Sequence, residues 1–354
     1  MILGFIAGLV ALVAGAELLV RGASKLALSA GISPLVVGLT VVAFGTSAPE
    51  VAVAVGAVLE GKNDIAIGNV VGSNIFNVLF ILGLSAVITP LFVNRQVIRQ
   101  EVPIMAGASL LLLVLSLDRN LGLLDCALLI LLLAAYTVFL VVQSRQEENG
   151  ASDEYRNLAQ DTSRWDARWP VQMLLMGAGL GLLVLGSRWL VTASVSFAQA
   201  LGVSDLVIGL TIVAAGTSMP EVATSLLASM RGEREIAIGN AIGSTTFNIL
   251  GCVGISGLVS AGGLAIAPSV LKFDIWVMLA SAFACLPVFL SGRKIARWEG
   301  AIFLAYYIAY TSYLILAAQN HRALPAFSNI MLSYILPMTV VTFVVIILKP
   351  ADRR

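Results

Sequence analysis

The chain has 354 residues, of which 59% are hydrophobic and only 12% charged, with a net charge of +1 and a mean hydropathy of +0.96. So little charge cannot cover a water-facing surface, which excludes a soluble multi-domain enzyme and points to a polytopic membrane protein. The balance of charge, without a basic block, excludes a nucleic-acid partner. A single histidine (His321) and three scattered cysteines (Cys126, Cys252, Cys285) offer neither a zinc site nor a disulfide framework.

Apolar runs predict eleven transmembrane helices, over residues 1–20, 34–59, 65–88, 102–117, 121–142, 170–191, 206–230, 236–259, 275–290, 301–318 and 330–348. The first run lacks the positive start of a signal peptide and is read as a retained helix. With the N-terminus outside, the inner connectors carry 16 of the 21 Lys and Arg and the outer ones carry 5. The positive-inside rule therefore predicts an outer N-terminus and a cytoplasmic C-terminus, in the cell (inner) membrane. Residues 144–169 read as a solvated cytoplasmic linker. Glu17, Arg21 and Lys25 read as a helix end where an i, i+4 pair or snorkelling suffices. Glu101 and Asp274 read as helix-start acids without a transport role.

Residues 31–83 return as residues 202–254, at an offset of 171 without a gap, with 29 of 53 positions identical. Gly15 and Gly186 share the same offset, which relates the first and sixth helices. Five helices separate equivalent points, and an odd number inverts the second copy in the membrane. The expected fold is thus all-α and polytopic, with two inverted five-helix repeats (1–143 and 170–318), the linker, and an accessory transmembrane helix (326–348). Inverted repeats are the signature of secondary transporters, with the substrate at the midplane where the copies meet.

Each copy places a glutamate, Glu50 or Glu221, in the middle of a hydrophobic helix with no basic residue in its interior. A carboxylate at that depth needs water, protein or a cation, and a cation is the best partner here. Each glutamate ends a Gly-Thr-Ser-x-Pro-Glu segment. Pro49 and Pro220 deprive the carbonyls of Gly45 and Gly216 of helical partners, so both helices should break near the midplane beside the acid. Thr46 and Ser47 would share the face of Glu50 if the helix is only kinked. The following helices align Asn69, Ser73 and Asn77, and Asn240, Ser244 and Asn248, at i, i+4, i+8. Asn69 and Asn240 suit interhelical hydrogen bonding, and the neighbouring glycines suit close packing. The donors are all oxygens, which suits hard cations such as Ca²⁺ or several Na⁺.

The paired Gly-Thr-Ser-x-Pro-Glu and Gly-Asn-x-x-Gly-Ser-x-x-x-Asn segments resemble the α-repeats of the calcium/cation antiporter superfamily, most closely its prokaryotic Na⁺/Ca²⁺ exchanger branch. The resemblance implies that Glu50 and Glu221 bind Ca²⁺, and Na⁺ in the alternate state, with the carbonyls of Thr46 and Thr217 completing the Ca²⁺ site. It assigns Ser47, Ser218, Ser73 and Ser244, with the carbonyls of Ala43 and Ala214, to Na⁺ sites. It sets Asn77 and Asn248 facing each other at the centre, where Asn argues against K⁺ co-transport. The implied function is Na⁺/Ca²⁺ exchange by alternating access, with the first and sixth helices as the moving group. The alternative is a H⁺-coupled exchanger of the same fold, which the absence of an acid after Gly68-Asn69 weakens. A passive channel and an intramembrane enzyme fit less well, for want of a filter sequence or a catalytic set. The expected partners are Ca²⁺ and Na⁺ as transported ions and the lipid bilayer. No cofactor is expected, and the eleventh helix is an accessory packing element or a homo-oligomer contact.

Overall fold

The computed structural model describes residues 2–30, 32–148, 168–200, 214–260, 262–290 and 292–348. Its helices are α1 (Ile2–Ala30), the bent pair α2 (Pro34–Thr46) and α3 (Ala48–Leu59), α4 (Asn63–Ile88), α5 (Val97–Leu115) and α6 (Leu123–Glu148). The second half has α7 (Trp169–Ala200), α8 (Met219–Met230), α9 (Arg234–Val259), α10 (Val270–Leu290), α11 (Arg297–Ala318) and α12 (Leu324–Thr342). Nine described helices are long and apolar enough to cross a membrane, and α2–α3 makes a tenth as one broken span. The seventh predicted run is described only from its midpoint, by the helical turn Ala214–Gly216 and α8. Its first half, the linker stretch 149–167 and the basic C-terminal residues Lys349, Arg353 and Arg354 lie outside the described residues.

Several helices outrun their apolar segments. The first and sixth helices reach 29 and 32 residues, about 43–48 Å at 1.5 Å per residue against a core of about 30 Å. Arg21, Lys25 and Arg188 therefore lie within helices rather than in connectors. Glu17 also pairs with Arg231 on the far connector. The reason is general: leaving the hydrocarbon ends the apolar pattern, while backbone hydrogen bonding continues until a cap or proline stops it.

The inverted repeat is visible in pairs of contacts. Strand β1 (Leu91–Phe92) pairs with β4 (Lys294–Ile295), and β2 (Asn120–Leu121) pairs with β3 (Leu264–Ala265), both antiparallel. One ribbon joins the connectors after the third and ninth helices, and the other those after the fourth and eighth. Each ribbon thus links two connectors that the alternation of spans puts on one side. α1 and α7 run antiparallel, Gly8 lying against Gly186 and Leu190, and Gly15 against Gly179 and Leu183. Glycines seven residues apart stay on one helix face, and without side chains there the two backbones meet directly. At one end Ser29 Oγ donates to Gln172 Oε1 at 2.9 Å.

The buried apolar residues form two cores. The larger one fills the space among α2–α6 and α9–α11. The smaller one lies where α1 and α7 meet Val37 and Val42 of α2, Ala228 of α8, and Ile236 and Ala237 of α9. α12 runs along the outside, joined to α11 by a hydrogen bond between the Tyr306 and Thr339 hydroxyls and otherwise largely exposed.

Glu101 and Asp274 occupy equivalent places, but neither starts its helix. Each ends a widened π-type first turn, Val97–Glu101 and Val270–Asp274. Tyr136 Oη donates to Glu101 Oε2 at 2.7 Å, and Tyr310 Oη donates to Asp274 Oδ1 at 2.8 Å. Gln96 Nε2 supplies Glu101 with a second donor at 3.0 Å. These carboxylates fasten α5 to α6 and α10 to α11. Tyr136→Phe leaves a buried acceptor short of a donor and should cost about 1–3 kcal/mol of stability. A thermal-unfolding shift with unchanged ion affinity is the expected result.

Candidate functional site

Both repeat motifs break their helices at the serine. Ser47 has φ −81° and ψ 4°, and Ser218 has φ −88° and ψ 10°, the sparsely populated bridge between helix and strand. The axis bends by 42° between α2 and α3. Pro49 and Pro220 then sit in the first turns of α3 and α8, where a missing N–H costs nothing. Glu50 and Glu221 follow in the same turns, so each carboxylate lies at the positive end of a half-helix. Both are fully buried.

The two motifs interlock. Ser47 Oγ donates to Glu221 Oε1 at 3.1 Å, and Ser218 Oγ donates to Glu50 Oε1 at 2.8 Å. This corrects the expectation that Ser47 shares the face of Glu50. The break at Ser47 takes its side chain off that helix face, and the pseudo-twofold relation presents the opposite glutamate instead. Each glutamate keeps a second oxygen, Oε2, buried and without a hydrogen-bond partner. Because each serine reaches across to the opposite glutamate, the two carboxylates share one interior. Two unmatched buried carboxylate oxygens in one interior are costly unless a cation or proton joins them.

The other candidate residues frame this pair. Ser73 Oγ lies 3.2 Å from Ser218 Oγ. Ser244 Oγ lies 3.5 Å from both Thr46 Oγ1 and the Ala43 carbonyl oxygen. Thr46 Oγ1 donates to Asn240 Oδ1 at 3.0 Å, whereas Thr217 Oγ1 is 3.5 Å from Asn69 Oδ1. Asn77 is buried with neither amide atom partnered, and Asn248 has an unpartnered Nδ2. No hydrogen bond joins Asn77 to Asn248 among the described residues. Ala214 falls in a helical turn, and its side chain is outside the described residues. Asn77 and Asn248 stand at the start of π-type turns, Phe76–Leu82 and Asn248–Val253. Such turns recur at functional sites because they re-aim side chains within a continuous helix.

Three neighbours escaped the sequence reading. Asn240 Nδ2 donates to Ser225 Oγ at 2.9 Å and to the Glu221 carbonyl at 3.3 Å. Position 54, the equivalent of Ser225, is alanine, and Asn69 Nδ2 is left buried without a partner. Cys252 Sγ donates to Asn248 Oδ1 at 3.5 Å, which brings sulfur beside an otherwise oxygen-lined interior. Ser187 Oγ of α7 donates at 2.5 Å to the Gly216 carbonyl, the group that Pro220 deprives of its helical partner. Ser225 and Cys252 stand four residues after Glu221 and Asn248, so helical spacing was the available signal for both. Ser187 could be found only through the packing of α7.

Among the described residues no group of three His, Cys, Asp or Glu side chains converges. Two carboxylates, broken-helix carbonyls, hydroxyls and amides gather oxygens of the kind that suits a hard cation.

The sodium/calcium exchanger protein profile matches residues 1–142 and 171–316. The chain belongs to this family. Family members are transporters, not enzymes, and the match supports a cation/Ca²⁺ antiporter. The sodium/calcium exchanger MaX1 of Methanosarcina acetivorans is 33% identical over 334 residues, covering 86% of this chain and 95% of its own length. Inner membrane protein YrbG of Escherichia coli is 35% identical over 281 residues, covering 79% and 86%. The solved sodium/calcium exchanger from Methanococcus jannaschii superposes with a TM-score of 0.75 at 29% identity, covering 88% of this chain and 97% of its own. The all-helical membrane fold expected from the repeat is therefore the fold of this family.

Proposed function

We propose that this chain exchanges Na⁺ for Ca²⁺ across the cell membrane by alternating access. The observation that carries the reading is the interlocked pair Glu50 and Glu221, each with one oxygen held by the opposite serine and one left unmatched. Bidentate binding by both carboxylates offers four oxygens to a Ca²⁺ ion and neutralises it. The carbonyls of Thr46 and Thr217 would raise the count to six, the lower end of calcium's preferred range. Ser47, Ser218, Ser73 and Ser244, with the carbonyls of Ala43 and Ala214, are assigned to Na⁺ in the alternate occupancy. Asn77 and Asn248 line the middle of the cavity.

An empty cavity holds two like charges in a poor dielectric, and cation loading removes that repulsion. Loading is therefore what licenses passage between the two open states. The separate small core supports α1 and α7 as the group that slides against the rest.

The test is Ca²⁺ uptake by Na⁺-loaded proteoliposomes diluted into Na⁺-free or Na⁺-matched buffer. Uptake that requires the outward Na⁺ gradient is expected. Uptake indifferent to Na⁺ but driven by a pH gradient would transfer the coupling to H⁺ and overturn the Na⁺ assignment.

Ser225 supplies a finer check. Ser225→Ala frees the Asn240 amide, which in turn holds the Thr46 hydroxyl. The loss of about 1 kcal/mol of orientation should raise the KM for Ca²⁺ about fivefold with little change in kcat. Ala54→Ser gives Asn69 the acceptor it lacks and should move affinity the other way.

A further inference from the structure

The two connectors that close the broken helices carry the repeat with its charges inverted. Glu60-Gly61-Lys62 follows α3, and Arg231-Gly232-Glu233 follows α8 at the offset of 171. On the long helices the same offset sets Glu17 of α1 against Arg188 of α7. Arg231 forms an ion pair with Glu17. The equivalent pair is open: Glu60 is held by Lys62 at 2.7 Å, and Arg188 is exposed.

Turn geometry does not cause the difference, since Gly61 and Gly232 adopt the same left-handed conformation, at φ +73° and +83°. Helix packing does. α8 lies along α1, with Thr224 fully buried and Ala228 in the small core beneath α1 and α7. The equivalents on α3 are Val53, 39% exposed, and Ala57, which belongs to the large core. One long helix is thus seated on the opposite repeat's broken helix, and the other is not.

The signs carry a further clue. In the orientation favoured by the Lys and Arg distribution, the positive-inside bias accounts for Arg at 231 and Glu at 60. It does not account for positions 17 and 188, where the acid lies toward the inner side and the base toward the outer. Pairing accounts for all four residues at once.

We propose that Glu17–Arg231 and Glu60–Arg188 are alternating latches, one at each membrane face, and that closing either requires opening the other. This rests on the alternating-access reading but not on which ions are exchanged. Both partners of the closed pair are partly solvated, at 32% and 46%. Each latch therefore biases the equilibrium rather than locking it, and Glu17→Gln should shift the two states by about two- to fivefold.

The test is cysteine cross-linking in membrane vesicles with a short bis-thiosulfonate, the chain with only its native buried cysteines serving as control. Glu17→Cys/Arg231→Cys should link readily, and Glu60→Cys/Arg188→Cys should link more slowly; each link should stop exchange. A chain with all four cysteines should form one link per molecule. Two links in one molecule, or no 60/188 link after many transport cycles, would overturn the latches. Mutually exclusive links in a chain without Na⁺-driven Ca²⁺ flux would keep the latches and overturn the ion assignment instead. In the companion charge swap, Glu60→Arg should slow exchange and Glu60→Arg/Arg188→Glu should recover it; a correctly folded double variant without recovery counts against the proposal.

Discussion

Glu50→Gln and Glu221→Gln should each reduce Na⁺-driven Ca²⁺ uptake at least a hundredfold while leaving a folded, monodisperse protein. The amide keeps an oxygen to accept from Ser218 or Ser47, so the interlock between the repeats survives. What is lost is one negative charge. With one carboxylate left, a bound Ca²⁺ retains a net positive charge in the membrane interior. Removing a single charge at about 4 Å costs about 4 kcal/mol at an effective dielectric constant near 20, or about three orders of magnitude in affinity. The same substitution also removes the repulsion between the two carboxylates in the empty site. Each variant should therefore melt no lower than the parent without Ca²⁺, and should lose the rise in melting temperature that Ca²⁺ gives the parent. Near-normal uptake by either variant would remove the proposed site.

The parts of this molecule that repeat were legible in the sequence. An offset of 171 implies inverted halves, because it encloses an odd number of spans, and it singles out Glu50 and Glu221 by duplicating a costly residue at membrane depth. The helix breaks followed from Pro49 and Pro220, since the absence of an N–H is a local property of the chain. The exchange of partners between Ser47 and Glu221 was not legible. It depends on how the two halves face each other, and no local rule assigns a side chain to the opposite repeat.

The ends of α1 and α7 were missed for a related reason. Hydropathy records where the chain leaves hydrocarbon, whereas helix termini are set by backbone hydrogen bonding and packing. Tyr136 and Tyr310 belong with these misses. As aromatic residues within apolar helices they gave no sign that each would satisfy a buried carboxylate on its neighbour.

Gly179→Ala should lower stability by about 1–3 kcal/mol, and Gly179→Leu should prevent recovery of folded protein. A Cβ added at Gly179 would lie 2.7 Å from the Leu19 nitrogen and 2.8 Å from the Gly15 carbonyl oxygen. Both obstacles are backbone, so no rotamer relieves them, and α1 must move away from α7. Lipid tails are as apolar as leucine, so the two helices gain little from the hydrophobic effect and depend on this close approach. Gly107→Ala is the control: that glycine is exposed with nothing within 4 Å, and alanine there should be neutral or slightly stabilising. The inverted repeat adds a sharper expectation. Gly15 and Gly179 meet at one contact, and Gly8 and Gly186 meet at another. Gly15→Ala/Gly179→Ala should cost less than the sum of its single variants, because the first substitution already separates the backbones there. Gly8→Ala/Gly179→Ala strains two contacts one heptad apart and should come closer to additivity. Equal non-additivity in the two double variants would mean that α1 and α7 separate as rigid rods, and the glycine contacts would then not be independent.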